Sequence, residues 1–204
     1  MKKYRHFMAE MQVAFTDEDM HLTASVLDSD LEAKMEQDPI STSERLVFLS
    51  NSFRAIMAYR ISNRLHLKMY ANHNESYQLI AYKMAEESAS QTSIEIHPGA
   101  EIGRSFVIDH GVNTLIGATS QIGDGCTILQ NVVLGARKIT YNGEGKRHPT
   151  IGNQVQISGG VRILGPVKIG NYVCIGPDCL ILEDVPDHSR VKLVKSVMVV
   201  KHTL

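Results

Sequence analysis

The sequence predicts an α+β protein, in which an N-terminal α-helical domain precedes a parallel β-helix with a protruding loop. Three observations predict it. The first ~90 residues contain no glycine and place apolar side chains at helical spacing. From about residue 94 onward an aliphatic residue recurs at every sixth position. Two inserts interrupt that beat, and in a stacked rod inserted residues must leave the surface as loops.

In the first region, "DMHLTASVLDSDLEAKMEQ" reads as an amphipathic helix. A second helix is predicted over "STSERLVFLSNSFRAIMAYRISNRLHLKMY". There Leu46, Leu49, Phe53, Ile56, Met57 and Ile61 fall close to i, i+3, i+4 spacing. Ser41, Thr42 or Ser43 can cap its start, and Pro39 lies just before it. After a break at "NHN", "ESYQLIAYKMAEES" reads as a third.

The beat residues of the second region are Ile96, Ile102 and Ile108, then Ile116, Ile122, Ile128 and Leu134, then Ile151, Ile157, Ile163, Ile169, Ile175 and Ile181. A six-residue unit is one short strand plus a turn, and three units close one triangular coil. The beat residue points inward and stacks on its equivalent in the next coil. Left-handed winding is a property of this repeat class, not something the spacing shows. Two extra residues enter between Ile108 and Ile116, beside Asp109-His110. Seventeen residues separate Leu134 from Ile151, and this longer insert, polar and glycine-bearing, ends in Arg147-His148. The expectation is that both inserts lie over one wall of the rod.

Apolar residues make up 43% of the 204-residue chain, ample for a core, and a formal net charge of −1 gives no reason to expect nucleic acid or an anionic membrane surface. Three cysteines without CxxC spacing exclude a disulfide scaffold and point to a reducing cytosol. The basic start lacks the apolar core of a signal peptide, and no apolar run reaches the ~20 residues of a membrane helix. The expected location is cytoplasmic.

His110 and His148 sit in or beside the inserts, and a histidine near neutrality can take a proton from a hydroxyl. Glu95 lies fifteen residues before His110, close to one coil less a corner, so the two can meet across neighbouring coils. Asp109, Arg147 and His148 mix charges in a way that suits an amino-acid zwitterion, with the carboxylate on Arg147 and the ammonium on Asp109. His97, His110 and His148 form no HxH or HxxxH pair, and no metal is expected.

The segments "IEIHPGAEIGRSFVIDHG", "IGATSQIGDGCTILQNVVLG", "GKRHPTIGNQVQISGGVRILG" and "DPISTSERLVFLSNSFRAIMAYRI" resemble the serine O-acetyltransferases over roughly residues 35–190. The resemblance implies acetyl transfer from acetyl-coenzyme A to the side-chain hydroxyl of L-serine. It implies His110 as general base, oriented by Glu95, and Asp38, Asp109, Arg147 and His148 as amino-acid ligands. Coenzyme A is expected along Gly135, Ala136, Ser158, Gly159 and Gly160, with Arg162 or Lys168 near its phosphates. The implied organisation is a helical oligomerisation and substrate-site domain at 1–92, an acetyltransferase β-helix at 93–190 and a tail at 191–204. The family assembles as trimers, often paired into hexamers. Its usual "GGTGK" loop reads "GARKITYNGEGK" here, and the C-terminal isoleucine that docks on cysteine synthase is replaced by Leu204. These departures leave docking on that partner open. They also keep two other readings in view, an O-acyltransferase acting on modified serine, homoserine or a sugar, and a non-catalytic scaffold that binds a partner.

Overall fold

The computed structural model describes residues 15–37, 43–138 and 145–194. Asp38, Pro39, Ser41, Thr42, the 139–144 part of the long insert and the tail from 195 to Leu204 lie outside them.

Helix α1 (Asp17–Gln37) begins where Thr16 and Asp19 bond reciprocally. Asp19 N donates to Thr16 Oγ1 at 3.2 Å, and Thr16 N donates to Asp19 Oδ2 at 2.9 Å. The long second helix expected from the sequence is two helices, α2 (Glu44–Leu49) and α3 (Asn51–Asn72). Ser50 divides them. Its backbone is extended (ψ 134°), and its hydroxyl accepts from Phe53 N at 3.3 Å, capping α3. A serine side chain that can satisfy the backbone locally competes with helix continuation, and here it wins. His73, in the left-handed region, ends α3 at the expected "NHN" break, and Asn74 caps α4 (Glu75–Thr92).

The remainder is a three-faced prism of parallel strands. Its first face is β1 (Ile94–Ile96), β4 (Thr114–Ile116), β7 (Val133–Gly135), β10 (Arg162–Leu164) and β13 (Leu180–Ile181). The second is β2 (Glu101–Ile102), β5 (Gln121–Ile122), β8 (Thr150–Ile151) and β11 (Lys168–Ile169). The third is β3 (Val107–Ile108), β6 (Thr127–Ile128), β9 (Gln156–Ile157), β12 (Cys174–Ile175) and β14 (Arg190–Val191).

Every beat residue read from the sequence lies in a strand, and the register stacks them. Ile96 pairs with Ile116, Ile116 with Leu134, Leu134 with Ile163 and Ile163 with Ile181. All are buried except Ile102, which is partly so. Each buried isoleucine contributes about 1.5–3 kcal/mol by leaving water. One interior column therefore runs the length of the rod and keeps its corners in fixed register.

The "AYRI" segment of α3 seats the helices on the first coil. Tyr59 Oη donates to Ala100 O at 2.7 Å. Arg60 pairs with buried Asp30 of α1 through Nε at 2.9 Å and donates to the Ile102 and Gly103 carbonyls. Because one guanidinium bonds an acid on α1 and two carbonyls of the prism, α1, α3 and the first coil are fixed relative to one another. That contact brings the end of α1 to the corner that carries His110.

Candidate active site

The two-residue insert lies at the Asp-His pair itself. Asn113 Nδ2 bonds Asn131 Oδ1 of the next coil at 3.2 Å, so the chain is back in register by residue 113 and the extra residues fall within 109–112. His110 (φ 58°) and Gly111 (φ 84°) both occupy the left-handed region. The same left-handed φ recurs at Ser105, Asn113, Asn131, Gln154, Tyr172 and Asp178, so it is how this prism turns its corners. Glycine at 111 is required on two counts. Its φ disfavours a side chain, and a Cβ there would lie 2.5 Å from Ile108 and 2.7 Å from Ile94. The result is an imidazole lifted off the prism, with its side chain 75% exposed.

Asp109 is held from below. Lys34, whose side chain is only 3% exposed, places Nζ 2.9 Å from Asp109 Oδ1. His110 N donates to the same oxygen at 3.1 Å, and Asp109 Oδ2 lies 3.8 Å from His110 Nε2. Lys34 was missed in the sequence, although a signal was there. With Leu27 and Leu31 it completes an i, i+4, i+7 apolar stripe, where a lysine needs an acid to be buried.

Glu95 is exposed on β1, opposite Leu115. The 109–113 corner reaches the residue just before that strand through Asn113 N, which donates to Ser93 O at 2.8 Å. Among the described residues Glu95 makes no hydrogen bond to His110, and the carboxylate beside the ring is Asp109.

The other predicted ligands lie elsewhere on the prism. The 109–113 corner joins the third face to the first, whereas the long insert joins β7 to β8, that is, the first face to the second. One strand and its turn separate those edges, roughly 15–20 Å at ~3.3 Å per residue. Within one chain Arg147 and His148 therefore stand at the opposite edge of the first face from His110, so the two inserts border one wall from different corners. A loop must leave its rod at the corner where it is inserted, and these two are inserted at different corners.

At that second edge the geometry is tight. Lys146 Nζ donates to Thr119 O and to Gln121 Oε1, both at 2.9 Å. Arg147 N and His148 N donate to Thr119 Oγ1 at 2.9 and 3.1 Å. Thr119 N donates to His148 Nδ1 at 3.1 Å. A ring nitrogen that accepts a backbone N–H carries no proton, so the neutral ring of His148 is protonated on Nε2. Burial first, then Arg147 and Lys146, hold its pKa below the ordinary imidazole value and keep it neutral. Arg147 bonds Lys138 O through Nη2, and its Nε is buried with no hydrogen-bond partner among the described residues. A guanidinium with an unspent N–H and an imidazole N–H donor, carried by consecutive residues, are groups suited to a carboxylate.

The residues expected to line coenzyme A divide the same way. Ser158, Gly159 and Gly160 form the third-to-first corner two coils below His110, and Gly160 N bonds Gln130 O at 3.1 Å. Gly135 and Ala136 lead into the Arg147-His148 loop. Arg162 is exposed on the first face and Lys168 on the second. Among the described residues no group of three or more His, Cys, Asp or Glu could hold a metal ion. No helix there is long and apolar enough to cross a membrane.

A parallel hexapeptide prism with an exposed histidine at an inserted corner defines the class, a hexapeptide-repeat transferase. Residues 148–183 match the bacterial transferase hexapeptide (six repeats) family. The chain is 36% identical over 172 residues to a serine acetyltransferase of Helicobacter pylori strain J99, covering 84% of this chain and 95% of that protein. It is 38% identical over 178 residues to a serine acetyltransferase of Bacillus subtilis, covering 87% and 77%. The chain belongs to the serine acetyltransferase family. Among solved structures it superposes with a TM-score of 0.79 on serine acetyltransferase isoform 3 of Entamoeba histolytica in complex with cysteine, at 31% identity. That match covers 91% of this chain but only 63% of the other. The Neisseria gonorrhoeae serine acetyltransferase in complex with serine gives a TM-score of 0.76 at 30% identity, covering 85% of this chain and 68% of that one.

Proposed function

We propose that this protein moves the acetyl group of acetyl-coenzyme A to the side-chain hydroxyl of L-serine, giving O-acetylserine for cysteine synthesis. The observation that carries the reading is His110, an exposed imidazole at the inserted corner of the prism, with a carboxylate 3.8 Å from Nε2. In the proposed step His110 Nε2 removes the hydroxyl proton while the serine oxygen bonds the thioester carbonyl carbon. The carbon–sulfur bond then breaks, and the departing sulfur takes the proton from the imidazolium. Asp109 stabilises the charged ring, and Glu95, on the adjoining strand, is assigned the orienting role once substrate orders the site. Arg147 and the Nε2–H of His148 hold the serine carboxylate, while Asp109 and Asp38 hold its ammonium. Ser158, Gly159 and Gly160 offer a side-chain-poor wall below His110 for the coenzyme, with Gly135 and Ala136 as the opposite wall and Arg162 or Lys168 near its phosphates.

We assign the assembly as a ring of three parallel prisms, in which the third-to-first edge of one faces the first-to-second edge of the next. The division of predicted ligands between two edges supports this, because a heterologous contact that closes on itself joins two different edges. The N-terminal domain, residues 1–92, is available to pair such rings. Three unpaired cysteines fit a reducing cytosol.

The test is thiol release from acetyl-coenzyme A with serine, homoserine, a substituted serine and a sugar as acceptors. The expected result is release with serine, reduced about 10²–10⁴-fold in His110→Ala. Release only with another acceptor, or unchanged turnover in the variant, contradicts the reading.

A further inference from the structure

We propose that Thr119 is a positioning residue for this reaction, a single side chain and peptide that aim His148 at the amino-acid substrate. The proposal rests on the assignment of His148 as a substrate ligand. Every polar atom of Thr119 is spent on three consecutive residues of the long insert. Its carbonyl accepts from Lys146 Nζ at 2.9 Å. Its hydroxyl oxygen accepts from the backbone N–H groups of Arg147 and His148. Its own N–H donates to His148 Nδ1, and the hydroxyl lies 2.9 Å from that same nitrogen.

These contacts have separate consequences. The pair of amides on one oxygen fixes the backbone where the insert re-enters the rod, immediately before β8. The contact at Nδ1 fixes both the plane of the ring and its tautomer, leaving Nε2–H as the ring's remaining donor. The neighbouring Gly117 supplies the space, since a Cβ there would sit 2.2 Å from His148 Cδ2 and Nε2. Thr119 belongs to the rigid prism, whereas the residues it holds end a loop. The arrangement therefore transfers the precision of the rod to a group that the loop alone would leave loose. A mobile donor loses the carboxylate mainly through binding, so the signature of Thr119 is expected in the amino-acid KM and not in that of the acyl donor.

The test compares Thr119→Val, which keeps the shape and removes the hydroxyl, with Thr119→Ser, which restores it. Thr119→Val is expected to raise the serine KM about tenfold, leave the acetyl-coenzyme A KM within about twofold, and speed amide exchange at Arg147 and His148. Thr119→Ser is expected to recover most of each. An unchanged serine KM in Thr119→Val, with a raised one in His148→Ala, overturns the positioning role. If His148→Ala also leaves the serine KM unchanged, the substrate role of His148 fails first and the proposal with it. Should Thr119→Val fail to fold, nitrogen chemical shifts of His148 in the unaltered protein decide. An unprotonated Nδ1 with a protonated Nε2 at neutral pH supports the proposal, and the opposite tautomer overturns it.

Discussion

Gly117→Ala tests the second edge with a single methyl group. The backbone at Gly117 is not left-handed, so alanine carries no conformational penalty there, and the substitution gains about 0.4–1 kcal/mol through the unfolded state. The difficulty is local, because the new Cβ would stand 2.2 Å from Cδ2 and Nε2 of His148 and 2.9 Å from Cε1. Ordinary contact begins near 3.4 Å, so the ring must retreat by roughly 1 Å, which breaks its alignment with Thr119 N and Oγ1. A displacement of about 1 Å in a substrate-positioning group can cost on the order of 10²-fold in rate. The lost hydrogen bond offsets the backbone gain, leaving thermal stability within about 1 kcal/mol of the parent. The assay is steady-state kinetics with serine varied at saturating acetyl-coenzyme A, beside a thermal melt. Serine kcat/KM is expected to fall by at least tenfold at nearly unchanged Tm. Normal kcat/KM with an unshifted His148 resonance would refute the reasoning, because the ring would then not occupy the space that Gly117 leaves.

Two further outcomes follow from the charges. Lys34 competes for Asp109 Oδ1, so Lys34→Met should lower the serine KM by about fivefold or less, measured by initial rates; an increase would show that the lysine aids binding. His66, His97 and His148 all have pKa values held below the ordinary 6.5, by burial in each case, with His66 and His148 adding to it at His97 and Arg147 and Lys146 at His148. The unfolded chain therefore binds protons that the folded chain refuses. Stability is complete above about pH 6.5 and falls as the pH drops toward the folded values, so Tm should fall from pH 7 to pH 5, and His66→Gln should reduce that slope.

The prism was legible because its signal is redundant. Thirteen beats, in three runs at a six-residue interval, each report the same inward position, and all thirteen fall in strands. The Asp-His corner was legible for the same reason, since a regular array makes a two-residue insert visible. The break at Ser50 was not, because the apolar spacing runs on through it while a hydroxyl redirects the backbone. Counted three to a coil, the beats already put the two inserts at different edges, since Ile108 is the third of its coil and Leu134 the first of its own. Distance along the chain says that Glu95 and His110 are about one coil apart, whereas the strand on which an insert begins decides its edge. Lys34 and Thr119 escaped notice because their roles lie in contacts 75 and 29 residues away in sequence.

The central claim is that one active site is built from two chains, His110 from one prism and Arg147-His148 from its neighbour. Mixing two impaired variants tests it most directly, with His110→Ala and His148→Ala purified separately, unfolded together, refolded as mixed assemblies and assayed at serine well below KM. In a ring of three, random mixing leaves about a quarter of the sites with both residues intact, so activity should return to roughly a quarter of the unmutated level. Mixed assemblies no more active than the average of the two parents would contradict the account and place the working site within a single chain.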